Sequence, residues 1–273
     1  MTAADVAIPS AVGSPEAIAR AFVEARLAGR SLPDFPGDIP AAMSGSYVIQ
    51  DIAIGLFPDT VIGWKVGGVP PRLQTGLGIH RLAGAIFQRN TQDDNGEVNA
   101  LPVIDGGFAA VEAEFVVRIG DGVDPSQTDW TLAQATEVID AVFIGVELAG
   151  SPLATINDLG PTVVASDFGN NAGLIVGTEL IDWRTRLDEI TVETTIDGAS
   201  VGTGGSPSLE GGAIESVRFL LEHCARWGRP LTAGTLVSTG AVTGVHGIYA
   251  GSEFACAFGG VGTIKGRIVS ATN

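Results

Sequence analysis

The sequence predicts an α+β protein: a small helical N-terminal unit followed by a larger β-rich domain. Two helical patterns occupy the first 57 residues, and from Val61 onward the chain breaks into short β-type runs separated by Gly, Asn and Asp. The 38 glycines among 273 residues suit many strands and tight turns better than a helical bundle. Hydrophobic residues make up 45% and charged residues 17%, with a mean hydropathy of +0.31, so a substantial core is expected and long disordered stretches are not. The length allows one large domain with an appendage or two modest domains; the expected division is 1–57 and 58–273.

Taken in order, the first dozen residues read as loosely ordered. They lack a basic segment and an unbroken apolar core, so they are not expected to act as a signal peptide. Ser14, Pro15 and Glu16 then suit the N-cap, N1 and N2 positions of a helix with Ile18, Phe22 and Ala25 on one face and Gly29 as its stop. After the connector SLPDFPGDIP, a second helix is expected from Ala41 to about Gly55, carrying Tyr47, Ile49 and Gln50. The strand candidates are VIGWKVG, AAVEAEFVVRIG, DAVFIGVELAG, AGLIVGTEL, ITVETTIDG, TLVSTG, EFACAFGG and TIKGRIV. Two helices are expected to interrupt them. One runs from about Thr131 to Val138. The other runs from about Glu215 to Trp227, with Val217, Leu220, Leu221 and Cys224 at helical spacing and Gly228 and Pro230 at its end. The stretch Gly202–Gly212 reads as a flexible loop able to reach over a pocket.

Charge and cysteine usage narrow the function classes. A net charge of −16 repels phosphate backbones, so nucleic acid and anionic membrane are poor partners. No apolar run approaches the roughly 20 residues of a membrane span. Cys224 and Cys256 both lie in apolar contexts and are expected to be buried free thiols of a reducing, cytoplasmic compartment, with a disulfide as the alternative. No CxxC or Cys/His cluster offers a structural zinc site.

The run Val111–Ile119 carries the chemistry. Strand parity puts Glu112 and Glu114 on one face with Val116 and Arg118, and Ala113, Phe115, Val117 and Ile119 on the other. Two same-face carboxylates repel unless a cation neutralises them; the bland alternative is an exposed strand face with solvated acids. Glu147, inside the apolar run Ala141–Leu148, tilts the balance, because a buried carboxylate must be neutralised or paired. Three carboxylates without Cys or His suit a hard cation such as Mg²⁺ or Mn²⁺, leaving positions for water and a chelating substrate. Lys65, alone in Gly63-Trp64-Lys65-Val66-Gly67, is either a lysine reaching out from an edge strand or a desolvated ammonium near that cation.

These landmarks resemble the fumarylacetoacetate-hydrolase superfamily, and within it the 2-oxopent-4-enoate (2-hydroxypentadienoate) hydratase and 4-oxalocrotonate decarboxylase group. The resemblance spans roughly Ser46 to Val269. It rests on Tyr47-Val48-Ile49-Gln50, the Lys65 strand, Val111-Glu112-Ala113-Glu114, Gly145-Val146-Glu147, the loop Ser166–Gly173, Trp227–Leu231 and Ser238-Thr239-Gly240-Ala241. It implies a mixed β-roll with a helical N-terminal unit, a homo-oligomer, and Mg²⁺ or Mn²⁺ bound by Glu112, Glu114 and Glu147. Lys65 becomes the active-site lysine, with Thr239 and Gly240 near the substrate carboxylate. The implied activity is addition of water to a 2-oxo/2-hydroxy-alkenoate through a metal-stabilised enolate, with Lys65 and Asn170 handling protons. Decarboxylation of a 4-oxalocrotonate-type 2-oxo acid and C–C bond hydrolysis are the enzyme alternatives. An inactive partner subunit, associated with a pathway enzyme, is the alternative of another class.

The chain departs from the family pattern at three places. Gly68-Val69-Pro70-Pro71 replaces a Leu-Thr-Ser type sequence. Phe168-Gly169-Asn170-Asn171 follows Asp167 where Asn-Ala-Ser-Ser is usual, and no acid precedes Ala85 within His80–Gly84. All three fall where substrate selection and proton transfer are expected. Of the histidines, His223 reads as structural, while His246 and His80 are open candidates for the site. No Gly-x-Ser-x-Gly elbow supports a Ser/His/Asp hydrolase. Gly259-Gly260-Val261-Gly262 precedes a strand, so it offers no dinucleotide site.

Overall fold

In the computed structural model, which describes residues 13–271, α1 (Pro15–Leu27) starts where the Ala17 N–H donates to Ser14 Oγ at 3.2 Å. The expectation for the first dozen residues lies outside the described residues. Ile18, Phe22 and Ala25 are buried on one face of α1 as their spacing predicts, and Gly29 sits in the left-handed region (φ 58°) past its end. Helix α2 (Met43–Leu56) packs against α1 and buries Tyr47, Ile49 and Gln50.

Thirteen strands and six further α-helices follow among the described residues. In order they are β1 (Val61–Gly68), α3 (Pro71–Leu77), β2 (Arg81–Phe87), β3 (Thr91–Asp93), β4 (Val98–Val103) and β5 (Phe108–Ile119). The middle third holds α4 (Leu132–Glu137), β6 (Ile139–Ser151), α5 (Ile156–Leu159), α6 (Pro161–Ser166), β7 (Asn171–Glu179) and α7 (Trp183–Arg186). The chain ends through β8 (Val192–Ile196), β9 (Ala199–Gly204), α8 (Gly212–Arg226), β10 (Leu236–Ser238), β11 (His246–Gly247), β12 (Glu253–Phe258) and β13 (Gly262–Ser270).

Among the described residues the strands make two mixed sheets. The larger has the order β2-β1-β10-β5-β6-β7-β3, with β11 added onto β5. The smaller runs β4-β13-β12-β8-β9. The small sheet closes over one face of the large one, where Phe115 of β5 meets Phe258 of β12 edge-on with centroids 5.7 Å apart. Ala113, Phe115, Val117 and Ile119 all enter this main core. Val116, on the other face of β5, joins a separate small cluster with Ile86, Leu174 and Val176. The parity read from the sequence is therefore the parity of the strand.

Several expectations need correction. More than two helices interrupt the strands: α3, α5, α6 and α7 are short and were not signalled by an amphipathic period, which needs about two turns to show. Strands β2, β3, β4, β9 and β11 were also not anticipated. Strand β4 contains Pro102, tolerated because β4 is the edge of its sheet. Gly202–Gly212 is not a free loop; it forms the end of β9, a 3₁₀ turn and the start of α8. The glycines there serve close packing: a Cβ on Gly204 would stand 1.8 Å from the Val242 carbonyl oxygen. Cys224 and Cys256 are buried free thiols, and no described helix is long and apolar enough to cross a membrane.

Truncating the fully buried Phe115 removes the contact that seats the small sheet on the large one. Phe115→Ala should cost about 3–5 kcal/mol in urea unfolding; a loss below about 1 kcal/mol would mean that the two sheets are held elsewhere.

Candidate metal centre

Five strands of the large sheet bring the predicted acids and Lys65 onto one face. Gly84, Lys65, Ser238 and Val116 stand opposite one another in β2, β1, β10 and β5. Glu114 and Glu112 follow at two-residue steps along β5, and Glu147 of β6 is the direct cross-strand partner of Glu112. Glu114 faces Gly145, so no side chain on β6 competes for the space beside its carboxylate. One oxygen from each of Glu112, Glu114 and Glu147 lies within 4.8 Å of the others.

These groups are not on an exposed strand face. Relative exposure is 5% for Glu112, 0% for Glu114 and Glu147, and 3% for Lys65. Lys65 does not reach out from an edge either, because β1 lies between β2 and β10. Its Nζ donates to Asn170 Oδ1 at 3.1 Å and pairs with Glu147 Oε2 at 3.2 Å. The Asn170 amide in turn donates to Asn157 Oδ1 at 3.2 Å. Glu147 Oε1 accepts from the Asn171 amide at 2.8 Å. Glu114 Oε2 accepts from Ser238 Oγ and from the Gly240 N–H, the latter at 2.9 Å, while Glu114 Oε1 has no hydrogen-bond partner among the described residues.

Three carboxylates against one ammonium leave a formal charge of −2 (one minus three) inside the protein. Burial opposes that charge. It pushes the Glu112 carboxyl up to about 7, with Lys65 pulling the other way and Glu147 adding repulsion. Burial, then Glu147 and Glu112, hold the Glu114 carboxyl well above the usual carboxylate range. Lys65 moves oppositely: burial alone would lower it, but Glu147, Glu112 and Glu114 together outweigh burial and raise it, so it stays an ammonium. An all-oxygen donor set with an orphaned buried oxygen and an excess of two negative charges fits a hard divalent cation.

Glu112, Lys65, Asn170, Thr239 and Gly240 line a cavity of about 740 Å³, with Glu114 and Glu147 behind its wall. The predicted substrate-side residues are thus brought together. Their donors are already engaged, however: the Gly240 N–H holds Glu114, and Thr239 Oγ1 donates to the Phe115 carbonyl at 2.9 Å. The three departures from the family pattern converge on the same cavity, through Gly68 and Pro70, through Arg81 and Leu82, and through Asn170. Leu209 and Glu210 also reach it, from the turn before α8.

The open histidines are not in the cavity wall. His80 is exposed and meets Glu210 at 3.0 Å, and His246 contacts the Thr243 carbonyl at 3.0 Å. His223 stacks among Tyr47, Phe219 and Trp227, and burial lowers its pKa to about 4. The sequence reading gave no role to Asn171 or Ser238, although both stand inside quoted landmarks; a polar residue beside a strand bearing the acids was the available signal. Arg26 was missed altogether. Its guanidinium clasps Asp167 through Nε and Nη2 at 2.6 and 2.9 Å.

Backbone strain marks the same place. Phe168, Gly169 and Asn170 are consecutive left-handed residues with φ of 52°, 61° and 58°. The two non-glycine members cost on the order of 1–2 kcal/mol each. Gly84 makes room for this turn, since a Cβ there would lie 2.0 Å from the Phe168 carbonyl oxygen.

The raised carboxyl of Glu112 gives a pH test with a definite sign. Without a cation the folded chain keeps a proton that the unfolded chain releases above the ordinary value of 4.5. This stabilising contribution is complete below that value and is lost as pH rises through about 7. A divalent cation must displace the proton, so the Tm increment produced by Mg²⁺ or Mn²⁺ should grow as pH is raised from 4.5 to about 7. An increment independent of pH would remove these carboxylates as ligands.

No protein-family model matches the chain. Its sequence is 26% identical over 238 residues to a 2-keto-4-pentenoate hydratase of Paraburkholderia xenovorans (strain LB400), covering 86% of this chain and 85% of that protein. Its structure matches 4-oxalocrotonate decarboxylase from Pseudomonas putida G7, complexed with magnesium and adipate, with a TM-score of 0.78 and 20% identity, over 93% of this chain and 97% of that one. A fumarylpyruvate hydrolase from Pseudomonas aeruginosa, in complex with Mn²⁺ and pyruvate, matches with a TM-score of 0.55 and 19% identity, over 76% and 88% of the two chains. The chain thus shares the fold of these two structures, a mixed β-roll, and is similar in sequence to 2-keto-4-pentenoate hydratases and to a 4-oxalocrotonate decarboxylase.

Proposed function

We propose that the protein is a divalent-metal-dependent hydratase adding water to a 2-oxo/2-hydroxy-alkenoate such as 2-oxopent-4-enoate. The observation that carries this reading is the charge centre that the cavity meets at Glu112 and Lys65: three buried carboxylates and, among the described residues, one ammonium paired with them. Similarity to the hydratases supports the substrate class, and metals in the decarboxylase and hydrolase structures support the ion, Mg²⁺ or Mn²⁺.

Glu112, Glu114 and Glu147 would hold the cation. Bound there, it supplies Lewis-acid polarisation of the 2-oxo group. Hydration of 2-oxopent-4-enoate first moves the double bond into conjugation with the oxo group, C3 losing a proton and C5 gaining one; water then adds its hydroxyl to C4, β to the oxo group, and a proton to C3. Lys65, an ammonium paired with Glu147 beside the other two acids, would serve as a proton donor to the substrate. Two of its three N–H groups point to Asn170 and Glu147, which leaves one for the substrate. Asn170 fixes the rotation of that ammonium and links it to Asn157. Thr239 and Gly240 lie beside the place for the substrate carboxylate, and the Gly240 N–H holds Glu114 in position for its ligand role.

The same reading includes a homo-oligomer, a cytoplasmic location suited to free thiols, and a helical unit at 1–57 docked on a catalytic part at 58–273. Decarboxylation of a 2-oxo dioic acid needs the same centre without added water. Supplying both substrate types with Mg²⁺ should give hydration without CO₂; CO₂ release without hydration would replace the assignment by the decarboxylase. Glu114→Gln should lose the Mg²⁺-dependent Tm shift and lower turnover by 100-fold or more, and Lys65→Met should keep the Tm shift yet lower kcat by about 10²–10⁴. Full metal-dependent turnover by Glu114→Gln would refute the reading. Absence of any Mg²⁺ effect on the unaltered protein would leave a catalytically silent subunit.

A further inference from the structure

The strained turn Phe168–Asn170 connects the end of α6 to β7, and two consecutive side chains at its exit reach the Lys65–Glu147 pair at one side of the metal centre. Asn170 meets Lys65, and Asn171 meets Glu147. Neither contact survives a rotation of the turn, so something must hold the turn against its own backbone preference. Local backbone bonds help, the Asn170 N–H donating to the Asp167 carbonyl at 2.8 Å, but they leave Phe168 in the left-handed region against its own preference.

The restraint comes from the far end of the chain. Arg26, in the last turn of α1, reaches the turn with a side chain that is 8% exposed. Its Nε and Nη2 donate to the two oxygens of Asp167, its Nη1 donates to the Asn171 carbonyl at 2.9 Å, and its Nη2 also donates to the Gly150 carbonyl at 2.9 Å. The acceptors belong to both flanks of the turn and to β6, three residues beyond Glu147. The guanidinium also lies over the Phe168 ring, 5.4 Å from its centroid. Ser151 closes the set by donating to Asp167 Oδ2 at 2.6 Å. A planar fork with five donors can span these acceptors at once; a lysine ammonium cannot.

We infer that Arg26 is a positioning residue of the metal centre: by fixing Asp167 and the Asn171 and Gly150 carbonyls it holds the left-handed turn that orients Asn170 against Lys65 and Asn171 against Glu147. This rests on the reading of Glu147 as a metal ligand. The inference makes part of the metal affinity a property of the first helix, remote in sequence from all three acids. Removal of groups that orient metal ligands commonly lowers affinity or activity by 10–100-fold.

The test uses the full chain and Mn²⁺ alone as the titrant, with Tm and kcat measured beside affinity. Ile18→Val, a core change on the same helix, should lower Tm and leave Mn²⁺ affinity and kcat unchanged. Arg26→Met should weaken Mn²⁺ binding by about 10-fold or more and lower kcat by 10–100-fold. Arg26→Lys keeps the charge opposite Asp167 and should fall between Arg26→Met and the unaltered protein; it also carries the test if Arg26→Met does not fold. Unchanged Mn²⁺ affinity and kcat in the Arg26 variants, with only a Tm loss like that of Ile18→Val, would overturn the positioning role alone. Failure of the unaltered protein to bind Mn²⁺ would overturn the reading of the centre, and this inference with it.

Discussion

Mutual repulsion among Glu112, Glu114 and Glu147 is the constraint around which the interior is arranged. Each carboxylate is buried, so water screens it little, and among the described residues the Lys65 ammonium is the opposite charge paired with them. The surrounding chain is disposed to tolerate this. Gly145 leaves space opposite Glu114, Ser238 and the Gly240 N–H donate to one of its oxygens, and Asn171 donates to Glu147. Gly240 must be glycine for this purpose, since its φ of 112° is strained for any side chain. Such an arrangement is unstable with respect to protons and stable with respect to a divalent cation, and the cavity meets it at Glu112 and Lys65.

Strand parity made the acids legible in the sequence. Two glutamates at i and i+2 in a run that is otherwise apolar can only share a face, and Glu147 in Ala141–Leu148 had no solvent to turn to. Lys65 was legible for the same reason, since its neighbours Trp64 and Val66 are core residues. What stayed hidden depends on contacts between distant parts of the chain. Arg26 occupies an ordinary place in the last turn of an amphipathic helix, and nothing local distinguishes it from a solvated arginine. Strands β4 and β9 were hidden by Pro102 and by Gly202 and Gly204, residues that usually weaken a strand and are accepted here for an edge position and for close contact with the 242–243 backbone.

The resemblance to a hydratase and decarboxylase family carried information of a different kind. It supplied the activity and the ion, while the residues themselves supplied only the charge problem that an ion solves. Its three departures cluster on the cavity wall and leave the charge centre intact. That separation has a structural basis. The centre's residues are carried by β1, β5 and β6, which have neighbours on both sides, whereas the wall is built from the entry to α3, the start of β2, α5 and the turn before α8.

The difference in construction gives the two parts different freedom to change. A substitution on β5 or β6 disturbs a packed sheet, the main core behind it and the charge balance together, so few are tolerated. The entry to α3, beginning at Pro70-Pro71, is a short surface piece that contributes Arg72, Leu73 and Leu77 to the wall and buries none of its helical residues. Its exchange for another sequence leaves the sheet untouched. One reactive centre can thus be inherited unchanged beneath a succession of rims, each admitting acids of a different shape.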